Sequence, residues 1–144
     1  MEHPSAEFRQ LPERYLRRPW QASDGLSSFD VETAEARIGQ ALPVSLRSFY
    51  LAAGACVELL NGYHEFVPIE ALCTEDGHLV FAHENQDVVS WGFRVEDLGE
   101  PDPQVWQRVN DGSTDPPWYS EEKALADFLG EMFDFLGGGD VTAP

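Results

Sequence analysis

The chain is poor in lysine and cysteine and contains no long apolar run. Its 144 residues include one lysine and two cysteines, and no stretch approaches the eighteen or more apolar residues of a membrane-spanning helix. The N-terminal segment lacks the apolar core of a secretory signal, so we expect a cytoplasmic protein. In that reducing compartment Cys56 and Cys73 are expected to be buried free thiols, with a single disulfide between them as the alternative.

The short motifs that mark common catalytic sites are also missing. The sequence has no G-x-S-x-G, no glycine-rich phosphate loop, no H-E-x-x-H and no C-x-x-C. Adjacent carboxylates such as Glu121 and Glu122 do not have the opposed geometry of acid–base hydrolysis, and 26 acids make such pairs common by abundance. We therefore expect no catalysis.

One group of side chains has the donor types of a metal site: His64, Glu65, His78, His83 and Glu84. His78 and His83 lie on one presumed strand with an odd spacing, so alternation predicts that they point to opposite faces unless a bulge intervenes. We therefore expect no metal site. A metal hydrolase that uses His64, His83 and Glu84 is the enzymatic alternative.

Negative charge is what the chain has in excess. The net charge is −17, and it is unevenly placed: residues 1–19 carry four arginines and three glutamates, or +1, which leaves −18 for the remainder. A body this acidic repels nucleic acid and anionic membranes and speeds encounter with basic partners. Solubility alone is the competing explanation for an acidic surface.

Helical signals are clearest at the two ends of the chain. Asp30 is expected to cap a helix that ends at Gly39, and Pro43 to begin a second one that ends at Gly54. A shorter helix is predicted over Pro12–Arg17. Ser120 is expected to cap the last helix, whose apolar stripe comprises Leu125, Phe128, Leu129, Met132, Phe133 and Leu136.

The middle of the chain has short apolar runs separated by polar turns, a pattern typical of β-strands. Two apolar runs, 56–60 and 63–67, flank Asn61-Gly62 and predict a hairpin, and a helical turn is expected over Ile69–Leu72. His78–His83 and Val88–Phe93 predict a second hairpin, and Val105–Val109 a further strand. Tight connections favour antiparallel pairing.

This order predicts an α+β fold in one domain. We expect a mostly antiparallel sheet of about four to six strands, with two N-terminal helices and one C-terminal helix packed on it. Residues 1–28 are interpreted as an N-terminal arm packed on the body, residues 29–136 as the domain, and residues 137–144 as a flexible tail.

Aromatic and acidic residues near the predicted turns are the best candidates for a protein interface. Tryptophan and tyrosine are common anchors of interfaces, and acidic rims steer basic partners. Trp91 is interpreted as mainly a core residue. The predicted partner-binding residues are Glu84, Gln86, Asp87, Glu96, Asp97, Asp102, Trp106, Trp118 and Tyr119.

From residue 30 to residue 136, an ordered set of segments resembles the SUKH superfamily of bacterial toxin-immunity and cell-wall-regulator-like proteins. Leu42–Tyr50 is similar to the family's "LP..LR.FY" helix, and 76–86 with 88–92 to its "DG.LVF..ENQ.V..WG" hairpin. Asp102–Trp106 resembles "DPPVW", with Gln104 in place of the second proline, and Trp118-Tyr119 precedes the final helix as in the family.

The resemblance implies a sheet backed by helices, no cofactor, and function by stoichiometric binding. It predicts an immunity-type protein that masks a cognate toxin, and the acidic charge favours a basic, nuclease-type domain as the partner. A regulatory or scaffolding module without a toxin partner is the main alternative. We expect no binding of nucleic acid or membrane.

Overall fold

The computed structural model describes residues 4–137, with side chains through residue 133. Of the predicted tail at 137–144, Gly137 ends the last helix and residues 138–144 lie outside the described residues. None of the helices within this range combines the length and apolar character needed to cross a bilayer. The helices are α1 (Ala6–Leu16), α2 (Ser28–Ile38), α3 (Val44–Ala53), α4 (Val57–Leu60) and α5 (Leu125–Gly137). The strands are β1 (Glu65–Phe66), β2 (Cys73–Glu75), β3 (His78–His83), β4 (Val89–Arg94), β5 (Gln104–Val109) and β6 (Trp118–Ala124).

The six strands form one antiparallel sheet in the order β1-β3-β4-β5-β6, and β2 pairs with β3 on the same edge as β1. Helix residues cover one face of this sheet, where Phe128 of α5 contacts Phe81 and Trp91. The prediction of an α+β fold with helices on a sheet of four to six strands is therefore confirmed.

The two predicted helices near residues 30–54 are confirmed as α2 and α3, although α3 begins at Val44 with Pro43 as its N-cap, and the cap of α2 differs from the prediction. Ser27, and not Asp30, is the N-cap of α2, because its side chain accepts the backbone N–H of Asp30 while the Asp30 carboxylate accepts that of Ser27. Gly39 ends α2 in the left-handed conformation at φ 84°, as expected for a C-terminal glycine.

The predicted hairpin across Asn61-Gly62 is wrong. The first of its two apolar runs forms α4, which buries Leu59 and Leu60, while the second contributes β1, which pairs with β3 instead. The cause is tertiary packing, since a short apolar run has no period of its own that separates strand from helix. A side chain at Gly62 would also collide with the hydroxyl of Tyr15.

The last helix begins later than predicted. Ser120 lies in β6 and not at a helix N-cap, because residues 118–124 pair with β5 and the Glu121 carboxylate accepts the indole N–H of Trp91. The helix starts at Leu125, and the described members of its apolar stripe are buried or half-buried as predicted. Glu122 takes a positive φ of 60° where the pairing of β5 and β6 shifts register.

Helix α1 starts at Ala6, six residues before the predicted start at Pro12. Pro12 favours the first turn of an isolated helix, but burial of Phe8 and Leu11 in the common core extends the helix through it. The segment after α1 is attached to α3 through the Trp20 indole, which donates to the Ala52 carbonyl at 2.8 Å. It is also held by a buried carboxylate, Asp24, whose pKa is lowered by hydrogen bonding to Arg18.

Truncation of Leu11 tests whether α1 belongs to the core. Leu11 is 5% exposed, so Leu11→Ala leaves a cavity and is expected to lower the free energy of unfolding by about 3 kcal/mol. Urea titration measures the change. The neighbouring exposed variant Gln10→Ala is the control, and an equal, small effect of both variants would contradict a structural role for α1.

The two cysteines are free, as predicted, but only one is buried. Cys56 is buried beside α4, and burial raises the pKa of its thiol. Cys73 is exposed on β2, so the expectation of a second buried thiol is wrong. The reason is that β2 is an edge strand, whose three residues are all exposed.

Candidate functional site

The face of the sheet opposite the helices carries the polar side chains of the central strands. Because residues alternate along a strand, Trp91 and Phe93 point to the core while their neighbours point away from it. We call this second surface the helix-free face. Its central residues, aligned by strand register, are Ser90, Gly92 and Arg94 of β4, Trp106 and Arg108 of β5, and Trp118 and Ser120 of β6.

The helix-free face is concave. The rings of His78 on β3 and Trp118 on β6 stack in parallel with centroids 3.5 Å apart, although two strands lie between them. Neighbouring strands are about 4.8 Å apart, so three spacings span roughly 14 Å in a flat sheet. The sheet must therefore coil so that the start of β3 approaches β6.

Two guanidinium groups lie against two indoles on this face. Arg94 sits over the ring of Trp106, with its central carbon 4.8 Å from the ring centroid, and Arg108 sits 5.5 Å from that of Trp118. Arg94 is also paired with Asp97 at 3.0 Å. Such cation–π contacts fix the planes of both partners and keep the indoles half-covered.

Buried Ser90 connects the strands beneath these stacks. Its Oγ accepts from Arg108 Nη2 at 3.3 Å and from Asn110 Nδ2 at 3.1 Å, and it lies 2.7 Å from His83 Nδ1. Ser90 is fully buried, so we interpret this serine–histidine pair as a structural hub and not as a nucleophile with its base.

Arg108 extends this network to the turn between β2 and β3. Its Nη1 donates to Glu75 and, at 3.3 Å, to Asp76, while its Nε donates to Asn110 Oδ1 at 2.8 Å. The guanidinium of Arg108 thus donates to four different side chains, one of which is Ser90. The Arg108 side chain is only 12% exposed. The arginine holds the turn against the far strands and maintains the curvature of the face.

His78 and His83 point to the same face, contrary to prediction. His78 pairs with Arg94 and His83 with Ser90, because the register shifts between Val80 and Ala82. This bulge inserts one extra residue and reverses the alternation. Even so, among the described residues no group of three or more potential ligands is placed to hold a metal ion.

Two buried nitrogen atoms on this face, His78 Nε2 and Trp106 Nε1, have no hydrogen-bond partner within the described part of the chain. His78 is held through its other nitrogen, which lies 2.7 Å from the Asp76 carbonyl and is therefore the protonated one. Burial lowers the pKa of His78, and the nearby charges of Arg94 and Arg108 act in the same direction. The ring is consequently held in its neutral form.

The depressed pKa of His78 predicts a loss of stability in mild acid. Below the ordinary value of 6.5 the unfolded chain binds the proton first, so stability declines as the pH falls toward the folded-state pKa. His78→Phe keeps a ring against Trp118 and removes the titration. Its unfolding free energy should change less than that of the wild type between pH about 7.5 and about 5.5. An identical change in both proteins would contradict this assignment.

The structure divides the predicted acidic residues between two ends of the sheet. Glu84, Gln86 and Asp87 form the turn between β3 and β4, where Glu84 accepts the backbone N–H groups of Gln86 and Val88. Asp87 has a positive φ of 59° and accepts from Asn110, which joins this turn to the loop before β6. These acids therefore shape their own loop in addition to being solvent-accessible.

The second acidic group lies beyond the opposite end of β4. Both Glu96 and Asp97 lie beside Arg94, but Glu96 is exposed and 3.8 Å from it, whereas the carboxylate of Asp97 is 15% exposed and 3.0 Å from it. Asp102 is exposed in the loop that leads to β5. Of these three residues, Glu96 and Asp102 are available to a partner.

The three predicted aromatic residues do not share one surface. Trp106 and Trp118 lie on the helix-free face and are half-buried beneath Arg94 and Arg108. Tyr119 follows Trp118 on the same strand and points to the other face, where it is 58% exposed. The helix-free face thus unites the two tryptophans with both acidic ends, and Tyr119 lies outside it.

A pocket of about 400 Å³ opens where the helix-free face meets the β1–β2 edge. Glu65, Glu75 and His83 line it together with Val80 and the thiol-bearing Cys73. The sequence prediction missed this pocket, as well as Ser90, Arg94 and Arg108. The alternation of charged and aromatic residues along β4 and β5 carried a signal for the arginines, but nothing in the sequence showed that β1 and β2 share one edge of β3.

No protein-family model, curated protein or solved structure matches the chain significantly. The description of the site therefore depends on the residues of this chain alone. Those residues provide two guanidinium–indole stacks, a buried serine hub and a pocket that contains two carboxylates.

Proposed function

We propose that this chain is an immunity-type protein that binds a cognate bacterial toxin domain in equal amounts and masks it without catalysis. The partner is a basic domain of the nuclease type. The proposal combines the resemblance of residues 30–136 to the SUKH superfamily with the charge of the folded chain. The helix-free face and its two acidic ends are the contact surface.

The observation that carries this proposal is that the positive side chains are paired within the chain, which leaves an excess of exposed negative charge. From Arg18 to residue 133, every lysine and arginine contacts a carboxylate or a carbonyl oxygen of the chain itself. The chain has far more acids than bases, so exposed carboxylates such as Glu65 and Asp102 have no cation beside them within the described residues. The unneutralised charge of the surface is thus negative.

Masking follows from this charge and from the shape of the face. A toxin that acts on nucleic acid needs a basic substrate path, and an acidic surface competes with phosphate for that path. A standard interface covers about 800 Å² of each partner, which one face of a domain this size can supply. Charge complementarity also predicts fast association that weakens with salt.

A pull-down from the source cells, with this protein as bait at low and at high salt, tests the proposal. We expect a small basic domain in equimolar amount, with less recovered at high salt. The double variant Glu96→Lys, Asp102→Lys should lose it, since both residues are exposed beside the helix-free face. A double variant of the same charge, Glu7→Lys, Asp127→Lys, should retain it because these residues lie on helices.

The other outcome of the pull-down is recovery of a regulatory complex. If the Glu96→Lys, Asp102→Lys double variant recovers as much of that complex as the wild type does, the scaffolding alternative is favoured. Equal losses from both double variants would show a general effect of charge and not a defined surface. The sequence prediction also included Asp97 among the binding residues. Its carboxylate is 15% exposed and 3.0 Å from Arg94, whereas that of Glu96 is 73% exposed and 3.8 Å from the same arginine, so Glu96 is the better site for a charge reversal.

A further inference from the structure

The pocket on the helix-free face results from the way two short strands share one edge of β3. β1 pairs with Ala82 and His83, and β2 pairs with residues 78–80. Between them the chain leaves the sheet at Pro68 and returns at Cys73. The departing segment leaves a recess of about 400 Å³ beside β3. This volume is at the small end of the roughly 300–1,000 Å³ of ligand sites, suitable for one long side chain.

The lining combines an apolar wall with hydrogen-bond acceptors. Val80, Pro68 and Ala71 supply apolar surface, while Glu65, Glu75 and Asn61 bring carboxylate and amide oxygens. Among the residues that the structure describes, no lysine or arginine lines the pocket. An apolar wall below several acceptors matches a side chain with a methylene stem and a cationic, donor-rich end.

The acceptors retain capacity for a ligand. Glu65 is exposed, and no hydrogen bond or ion pair of its side chain is found among the described residues. Glu75 gives one oxygen, Oε1, to Arg108, and its second oxygen has no such contact.

A guanidinium fits this set better than an ammonium. It has five N–H donors in a fixed plane and is less strongly hydrated, so it can satisfy several separated acceptors at once. The same face already accommodates two guanidinium groups of the chain, each held between carboxylates and an indole. The carboxylates of the pocket provide a place for a third guanidinium group.

We propose that this pocket receives one arginine side chain from the surface of the basic partner and thereby fixes how the partner docks. This inference rests on the proposed function for the identity of the partner. The pocket adjoins the hub that joins Glu75, Arg108 and Ser90, so the arginine would dock against a rigid part of the sheet. Glu65 is the residue that gives the pocket its free negative charge.

The first test needs no partner. Arginine with both termini blocked is titrated into the isotopically labelled protein, and blocked citrulline, its neutral isostere, serves as the matched probe. We expect saturable shifts of the Asn61 and Glu65 backbone amide signals with arginine only. Glu65→Gln should weaken binding by about tenfold, which corresponds to about 1.4 kcal/mol, whereas Glu7→Gln should not change it. Equal responses to both probes, no response, or indifference to Glu65→Gln would each overturn the proposal.

The second test uses the complex with the captured partner. Cys73 lines the pocket and is exposed, so its alkylation by N-ethylmaleimide reports whether the pocket is covered, and buried Cys56 is the internal control. We expect Cys73 to be protected in the complex, and Glu65→Lys to weaken capture more than Glu7→Lys.

The two proposals fail in different ways. In one outcome a basic partner is captured, but Cys73 is alkylated in the complex as fast as in the free protein, and Glu65→Lys binds the partner as well as Glu7→Lys does. The pocket assignment is then wrong and the proposed function stands. If no basic partner is captured, the proposed function fails, and the blocked-arginine titration still decides whether the pocket selects a guanidinium.

Discussion

Gly25→Ala is expected to destabilise the protein by about 3 kcal/mol or more, because a β-carbon at this position has no space. It would lie 1.6 Å from the carbonyl oxygen of Leu51, a backbone atom of α3 that cannot rotate aside. The next residue, Leu26, donates its N–H to the Tyr50 carbonyl at 3.0 Å, so the segment is held directly on the end of this helix. The added carbon must therefore push the Gly25–Leu26 segment away from α3 or distort the backbone of the segment and of the helix.

Thermal and urea unfolding measure this effect, and a melting temperature lower by roughly 10 °C corresponds to the expected loss. Gly99→Ala is the matched control, since nothing lies within 4 Å of the added carbon and its φ is not positive. We expect the control to stay within about 0.5 kcal/mol of the wild type. A Gly25→Ala protein as stable as this control would contradict the close packing of residues 18–26 on α3.

Arg108→Met is expected to have the largest effect of any change on the helix-free face. Methionine keeps the apolar stem but removes the contacts with Ser90, Asn110, Glu75 and Asp76. It leaves two adjacent carboxylates without their cation and a buried hydroxyl with an unused lone pair. Because both carboxylates are almost half exposed, water offsets part of the loss, and we expect about 2–3 kcal/mol.

The same variant should loosen the stack of His78 on Trp118, because Arg108 holds the turn that carries His78. Near-ultraviolet circular dichroism reports this change through the indole. Arg94→Met is the matched control: its side chain is 39% exposed and its ion pairs are accessible to solvent, so it should destabilise the protein much less than Arg108→Met. Equal losses in the two variants would show that Arg108 has no special role in shaping the face.

Features with a strong local signal were predictable from the sequence. The hairpin of β3 and β4 follows from two apolar runs around a polar turn, and α2 and α3 from helical spacing that ends at Gly39 and Gly54. Features decided by tertiary contacts were not. Asn61-Gly62 has the sequence of a hairpin turn, but the preceding run forms α4, which packs on α1. Ser120 has the sequence of an N-cap, but its segment pairs with β5 and completes the sheet.

The candidate site was predictable only in part, for the same reason. Acidic turns and tryptophans can be read from the sequence, but whether an acid is available depends on its neighbours. The carboxylate of Asp97 pairs with Arg94, and that of Glu84 accepts hydrogen bonds from its own loop. Glu65 was considered only as a metal ligand, but at the pocket its side chain has no partner among the described residues. The bulge in β3, which places two histidines on one face, also leaves no local signal.

The central claim is that this chain neutralises a toxin by binding it, and growth protection tests that claim most directly. The captured basic domain is expressed in cells with the wild-type chain, with the Glu96→Lys, Asp102→Lys variant, or alone. We expect growth arrest when it is alone or with that variant, and normal growth with the wild type. Arrest that the wild-type chain does not relieve, or normal growth in its absence, would contradict the claim.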